Sequence, residues 1–172
     1  MSEPVELELG DGVARLRLNR PDAGNAIDLE LARALRSHAE ALAARDDVGA
    51  VVLEAAGKAF CVGGDLGYMN DAGDDVGEAV AELVGEFHGA IRALRAIEAP
   101  VIAAVQGVAA GGGMSLMLIP DLAIAAESAR FTMAYTAAGL SPDGGGTWTL
   151  PRNRRASRWP TPRRASRPTA AA

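Results

Sequence analysis

The sequence predicts an α/β fold in which parallel strands alternate with helices, and three observations carry that reading. Short continuous apolar runs recur along the chain, two longer segments place apolar residues at helical spacing, and glycine-bearing loops adjoin these elements. Strands separated by helices pair in parallel through right-handed crossovers.

Taken in order, VELEL (5–9) and VARLRL (13–18) alternate with period two around GDG, the pattern of an antiparallel hairpin. NRPDAGNA follows as a loop. Asp28 is placed to cap a helix running to about Arg45, with Leu31, Leu35, His38 and Leu42 on one stripe. GAVVLEA (49–55) is a short apolar strand, and GKAFCVGGDL is the loop after it. From Val76 to Ile97 the residues Val80, Leu83, Val84, Phe87, Ile91 and Leu94 repeat at helical spacing, and the segment ends before Pro100. PVIAAVQG is the next strand. The glycine run in AAGGGMSLML (109–118) opens a short helix through Ile119, and DLAIAA reads as a third buried strand.

The chain has 172 residues, 49% of them hydrophobic, enough for one domain with a sizeable core. No apolar run is long enough to span a bilayer and MSEPVELELG lacks a signal-type apolar segment, so a soluble cytoplasmic protein is expected, with no membrane partner. Cys61 is the single cysteine, which excludes an intrachain disulfide and a thiolate metal cluster; no metal site is expected. The net charge of −5 conceals two unlike parts. Seven of the 17 basic residues follow Pro151, leaving ten against 22 acids, about −12 for residues 1–151. That body is a poor nucleic-acid binder. Residues 152–172 form a separate Arg/Pro/Ala-rich tail that reads as disordered, with Trp159 its only large apolar residue.

Three loops carry glycine clusters: CVGGDL (61–66), AGGGMS (110–115) and PDGGGT (142–147). Neither GxxxxGK[ST] nor GxGxxG occurs, so the two common phosphate-loop readings lack support. GMSLM holds half of a hydrolase nucleophile elbow, but Met117 replaces its second glycine. His38 and His88 fall on helices, out of reach of Ser115, and read as packing or surface residues. Glycine costs roughly 0.5–1 kcal/mol relative to alanine inside regular structure, so three in succession at 111–113 call for a reason. One is close packing of helix on strand. The other is that backbone N–H groups, bare of side chains, converge beyond the strand ends on one oxygen atom, as an oxyanion hole does.

NRPDAGNA, AFCVGGDL, PVIAAVQGVAAGGGMSL and DLAIAAESARFTMAYTAAGLSPDGGGTWTLPR resemble, in order and spacing, the signature segments of the crotonase (enoyl-CoA hydratase/isomerase) superfamily, from about residue 5 to residue 152. The resemblance implies a core of ββα repeats over residues 1–151 and an acyl-CoA thioester as substrate. Coenzyme A would be part of that substrate, with no separate cofactor. It assigns the oxyanion donors to the backbone N–H groups of Gly64 and Gly112, and proton transfer to Asp143. The substrate cleft would draw on Ala23, Ala59, Val62, Gly64, Asp65 and Leu66, with Gly112 and Tyr135 near the acyl group. The family's reactions include isomerisation and hydration in fatty-acid or aromatic-acid breakdown, and its members form trimers.

Two departures from the family pattern matter. Hydratases would carry one glutamate two residues after the triple glycine and another shortly after ARF, where this chain has Ser115 and Tyr135. Neither supplies a carboxylate, which favours an isomerase using Asp143 over a two-glutamate hydratase. Asp143 has a competing reading as a helix cap before GGGTWTL. Asp65 reads as the cap of LGYMN, Tyr135 as pocket wall, Ser115 as a satisfied helix residue, Cys61 as a buried apolar group and Asp121 as structural. After TLPR the family's C-terminal helical region has no counterpart, so apolar faces are expected to lose their cover and the trimer its surface. The alternative reading is a catalytically inactive truncated fragment that keeps a partial CoA cleft.

Overall fold

The computed structural model describes residues 3–153. Strands β1 (Val5–Gly10) and β2 (Val13–Leu18) form the expected hairpin in antiparallel register, Val5 opposite Leu18. Its turn is built by Asp11 and Gly12, both at positive φ (52° and 75°), the geometry whose twist matches the flanking strands. Helix α1 (Leu29–Ala43) starts on Asp28, whose side chain accepts the Leu31 N–H at 2.8 Å. Strand β3 (Ala50–Ala55) pairs parallel to β2, and β4 (Val101–Val105) parallel to β3. Between them lie α2 (Leu66–Asp71) and the 21-residue α3 (Val76–Ala96). Strand β6 (Leu122–Ala125) completes a five-stranded sheet of order β1-β2-β3-β4-β6.

A second layer repeats this order in shorter pieces. Strand β5 (Val108–Ala110) pairs parallel to β7 (Arg130–Thr132), while single bridges join Cys61 to Ala109 and Ile27 to Gly64. Each long strand from β2 onward is thus followed by a short segment in the second layer, so the segments after β2, β3, β4 and β6 stack in the order of their parent strands. This is the ββα repeat. It places the loops 61–65 and 110–112 side by side. Helices α4 (Gly112–Met117) and α5 (Gly146–Asn153) follow the second-layer segments.

The core lies where α1 and α3 cover the main sheet. Leu16, Leu18, Leu31, Leu35, Val51, Leu53 and Phe60 are wholly inaccessible there, each large aliphatic side chain contributing about 1.5–3 kcal/mol by burial. His38 sits on the α1 stripe with Nε2 at 3.2 Å from the Val5 carbonyl oxygen, as a packing residue would. Asp121 also behaves structurally: its carboxylate accepts the Val101 N–H at 2.8 Å and its own N–H donates to the Val101 oxygen.

One strand differs from expectation. DLAIAA is a strand, but not a buried one: Leu122 is 59% and Ile124 67% exposed. Its apolar composition is that of a strand covered on both faces, yet among the described residues it pairs only with β4 and nothing covers its faces. Phe131 and Trp148 are exposed as well. Exposed apolar side chains of the kind expected from the sequence are thus present among the described residues. The Arg-rich segment with Trp159 lies outside the described residues. No helix among the described residues is long and apolar enough to cross a membrane.

Candidate active site

The loop after β3 is held open by side chains from elsewhere. Asn25, inaccessible and at φ 56°, accepts the Arg20 N–H at 2.8 Å and donates to the carbonyls of Ala56 and Ala59 at 2.8 and 2.9 Å. Gln106 donates to the carbonyls of Ala55, Gly57 and Ala59. Ala59 therefore serves as an anchor of the loop, and Ala23 sits in the 3₁₀ turn Pro21–Ala23 beside it. Sequence reading singled out neither Asn25 nor Gln106. Asn in a loop next to glycine was the available signal for the first; nothing local marked the second.

Asp65 caps α2 as expected, accepting the N–H groups of Gly67 and Tyr68 at 3.0 and 3.2 Å. Arg20 bridges Asp28 at 2.9 Å and Asp65 at 3.1 Å, tying the start of α1 to the start of α2. Burial by itself would raise the Asp65 pKa. The Tyr68 N–H, the Arg20 guanidinium and the Gly67 N–H outweigh it and hold the carboxyl below its ordinary value.

Beside this frame lies an apolar cavity of about 290 Å³, walled by α3, by the loops 62–64 and 111–112, and by the segment from Ala134 to Asp143. Of the residues singled out from sequence, Val62, Gly64, Leu66, Gly112, Tyr135 and Asp143 line it, whereas Ala23, Ala59 and Asp65 do not. Val80, Leu83, Val84 and Phe87, four of the residues at helical spacing on α3, line the cavity as well.

The three successive glycines have three different reasons. Gly111 takes φ 49°, a conformation that L side chains seldom adopt. Gly113 lies so close to the loop after β3 that a Cβ would fall 2.1 Å from the Cys61 carbonyl oxygen. Close packing of helix on strand, the plainer reading, is correct for Gly113. Gly112 is different, for a Cβ there would meet only side chains, Ile27 at 3.3 Å and the Phe87 ring at 3.6 Å. As first residue of α4 it has no helical residue four positions back to accept its N–H. Across from it, the Ile27 N–H donates to Gly63 and the Asp65 N–H donates to Ile27, bonds in which the Gly64 N–H takes no part. The two loops are in backbone contact: a Cβ on Gly63 would lie 3.4 Å from the Gly112 nitrogen.

Ser115 and Tyr135, where hydratase glutamates would be expected, do face each other, with Oγ and the phenol oxygen 2.9 Å apart. Both are buried. Burial raises the Tyr135 pKa, and the nearby Asp143 carboxylate pushes it the same way, so the phenol stays protonated. Asp143 does not cap α5, which begins at Gly146; the carboxylate stands three residues earlier, at the cavity wall. His88, read from sequence as a packing or surface residue, also adjoins the site. Its Nε2, shut off from solvent, lies 3.2 Å from Oδ2 of Asp143, without the alignment of a hydrogen bond. The Cys61 thiol is wholly buried and pushed up to about 12, in keeping with an inert packing role. Among the described residues, no three His, Cys, Asp or Glu side chains gather as a metal site requires.

Strand-linked glycine loops converging on an apolar cavity, within two stacked layers of ββα repeats, define a chain of the crotonase superfamily. The chain belongs to the enoyl-CoA hydratase/isomerase family, whose model matches residues 8–157. It is 40% identical over 148 residues to a probable enoyl-CoA hydratase of Rhodobacter capsulatus, covering 86% of this chain and 56% of the relative. It is 38% identical over 156 residues to the 1,2-epoxyphenylacetyl-CoA isomerase of Escherichia coli, covering 88% and 58%. A crystal structure of an enoyl-CoA hydratase/isomerase from Mycobacterium abscessus superposes with a TM-score of 0.82 at 38% identity, covering 90% of this chain and 60% of that one. The chain thus spans somewhat over half the length of these relatives.

Proposed function

We propose that the chain carries an acyl-CoA isomerase site. The thioester carbonyl oxygen accepts hydrogen bonds from the Gly64 and Gly112 N–H groups, and Asp143 moves a proton between carbons of the acyl chain. The observation that supports this most is that Gly64, Gly112 and Asp143, brought from three separate loops, line one apolar cavity. In the reaction, the Asp143 carboxylate takes a proton from the carbon next to the thioester or conjugated to it, and the electron pair moves onto the carbonyl oxygen. Two N–H donors stabilise that enolate, each worth about 2.7–4 kcal/mol where such donors have been removed. The same proton then returns from Asp143 to a different carbon, shifting the double bond and leaving atoms and charge balanced. Coenzyme A enters and leaves as part of the substrate. Hydration would need one group to activate water and a second to protonate carbon, and the hydrogen-bonded Ser115–Tyr135 pair supplies no carboxylate for either.

The test is exchange of acyl-CoA protons in deuterated water, followed by mass spectrometry, alongside conversion of a 3-enoyl- to a 2-enoyl-CoA. The chain is expected to catalyse both, and Asp143→Asn to lower both by roughly 10²–10⁴-fold. Full exchange by Asp143→Asn refutes the assignment. The exposed Leu122 and Ile124 favour a second reading, in which the uncovered chain binds a CoA ester without turning it over. Binding by calorimetry with no exchange above buffer supports that one.

A further inference from the structure

His88 takes no part in the proton transfer just described, yet its position is hard to explain by packing alone. It projects from α3, which is braced against α1 by the Arg36–Glu86 ion pair at 3.3 Å and by a further pair between Arg33 and Glu82. Asp143, by contrast, stands in a stretch outside any helix or strand. A carboxylate on such a segment needs a fixed partner if it is to meet the same carbon atoms at every turnover, because a reacting group misplaced by about 1 Å costs roughly 10²-fold in rate. The imidazole is a partner of that kind. Its Nε2 is inaccessible to solvent, has no hydrogen-bond partner among the described residues, and stops 3.2 Å from Asp143 Oδ2. Buried ring nitrogens are rarely left unpaired, and Asp143 Oδ2 is an acceptor within hydrogen-bond distance of this one.

On the reading of Asp143 as the proton carrier, we infer that His88 is its positioning residue. The Nε2–H of the neutral ring donates to Oδ2 and holds the carboxylate at the cavity wall, which requires the tautomer with a bare Nδ1. The ring itself exchanges no proton with the substrate. Tyr135, whose hydroxyl lies 2.9 Å from Ser115 Oγ, also interacts with the Asp143 carboxylate, so His88 shares the orientation of that carboxylate with Tyr135 and supplies the contact that comes from the braced helix α3.

Two measurements test this, one of them independent of turnover. The chain has two histidines, so ¹⁵N-histidine NMR, assigned with His38→Gln, reads the His88 ring directly. At about pH 8.5, where an ordinary imidazole is neutral, the Nε2-protonated tautomer and a slowly exchanging Nε2–H are expected. Asp143→Ala should abolish the slow exchange. In the proton-exchange assay, His88→Ala should lower kcat by roughly 10²-fold while KM stays within about 2-fold, and His88→Gln, whose side-chain amide also donates, should recover most of the loss. An Nδ1-protonated ring, a signal indifferent to Asp143→Ala, or an unchanged kcat in His88→Ala overturns the inference. If the NMR signature is found but the wild-type chain exchanges no substrate protons, the proposed reaction fails and the pairing stands.

Discussion

Adding one methyl group at either of two adjacent glycines should have opposite consequences. In Gly113→Ala the new Cβ would meet the Cys61 carbonyl oxygen at 2.1 Å and its carbon at 2.7 Å, both backbone atoms. Relief requires α4 to withdraw until that contact reaches at least 3.0 Å, a displacement of about 0.9 Å. The same Cys61 oxygen accepts the Ala110 N–H at 2.9 Å, and Cys61 bridges Ala109 in the second layer. Withdrawal therefore strains a buried hydrogen bond, at about 1–3 kcal/mol if it is lost, on top of about 1–3 kcal/mol for overpacking. A loss of roughly 3 kcal/mol or more is expected, lowering Tm by roughly 6–12 °C in a domain of this size. Gly112→Ala meets only the Ile27 methyl at 3.3 Å and the Phe87 ring at 3.6 Å, which side-chain adjustment absorbs. Its stability should stay within about 1 kcal/mol of wild type, while proton exchange falls because the methyl group crowds the approach to the amide. Urea denaturation followed by circular dichroism reads both variants. If Gly113→Ala loses less than about 1 kcal/mol, or Gly112→Ala is the less stable of the two, the separation of packing and functional glycines is wrong.

Asn25→Ala removes three hydrogen bonds at an inaccessible site and should cost about 2–4 kcal/mol in urea denaturation; a loss below about 1 kcal/mol refutes the bracing role. Because the folded Asp65 pKa lies below its ordinary 3.8, its stabilisation is fully present above that value and fades as pH falls through the lower, folded one. Asp65→Asn should therefore show a flatter decline of stability below about pH 4 than wild type, and parallel acid profiles would argue against it. Ile124→Lys, on the uncovered strand β6, should change stability by no more than about 0.5 kcal/mol and reduce concentration-dependent light scattering. A large destabilisation would mean that β6 is covered after all.

Much of this protein was legible along the chain. The hairpin, α1 with its Asp28 cap, the long α3 and the parallel strands follow from periods of two and 3.6 and from capping residues, which are local signals. The cavity loops were legible as well, since glycine clusters at strand ends mark backbone that must be approached closely. The misreading of β6 has a physical cause. DLAIAA has the composition of a covered strand, but composition states what a strand could tolerate around it and not what lies beside it. The α3 stripe was legible only as a period, because Val80 and Val84 at the cavity and Leu94 in the core have the same polarity.

The sequence by itself determined the elements, their parallel arrangement and the three glycine loops, because backbone preference and burial are written in spacing and residue type. Only the tertiary structure decided which glycine of 111–113 answers to a carbonyl 2.1 Å away and which faces the cavity, and that His88 on α3 reaches the carboxylate of Asp143. Those are distances between segments far apart along the chain, set by how stacked layers settle against one another, and no local pattern encodes them.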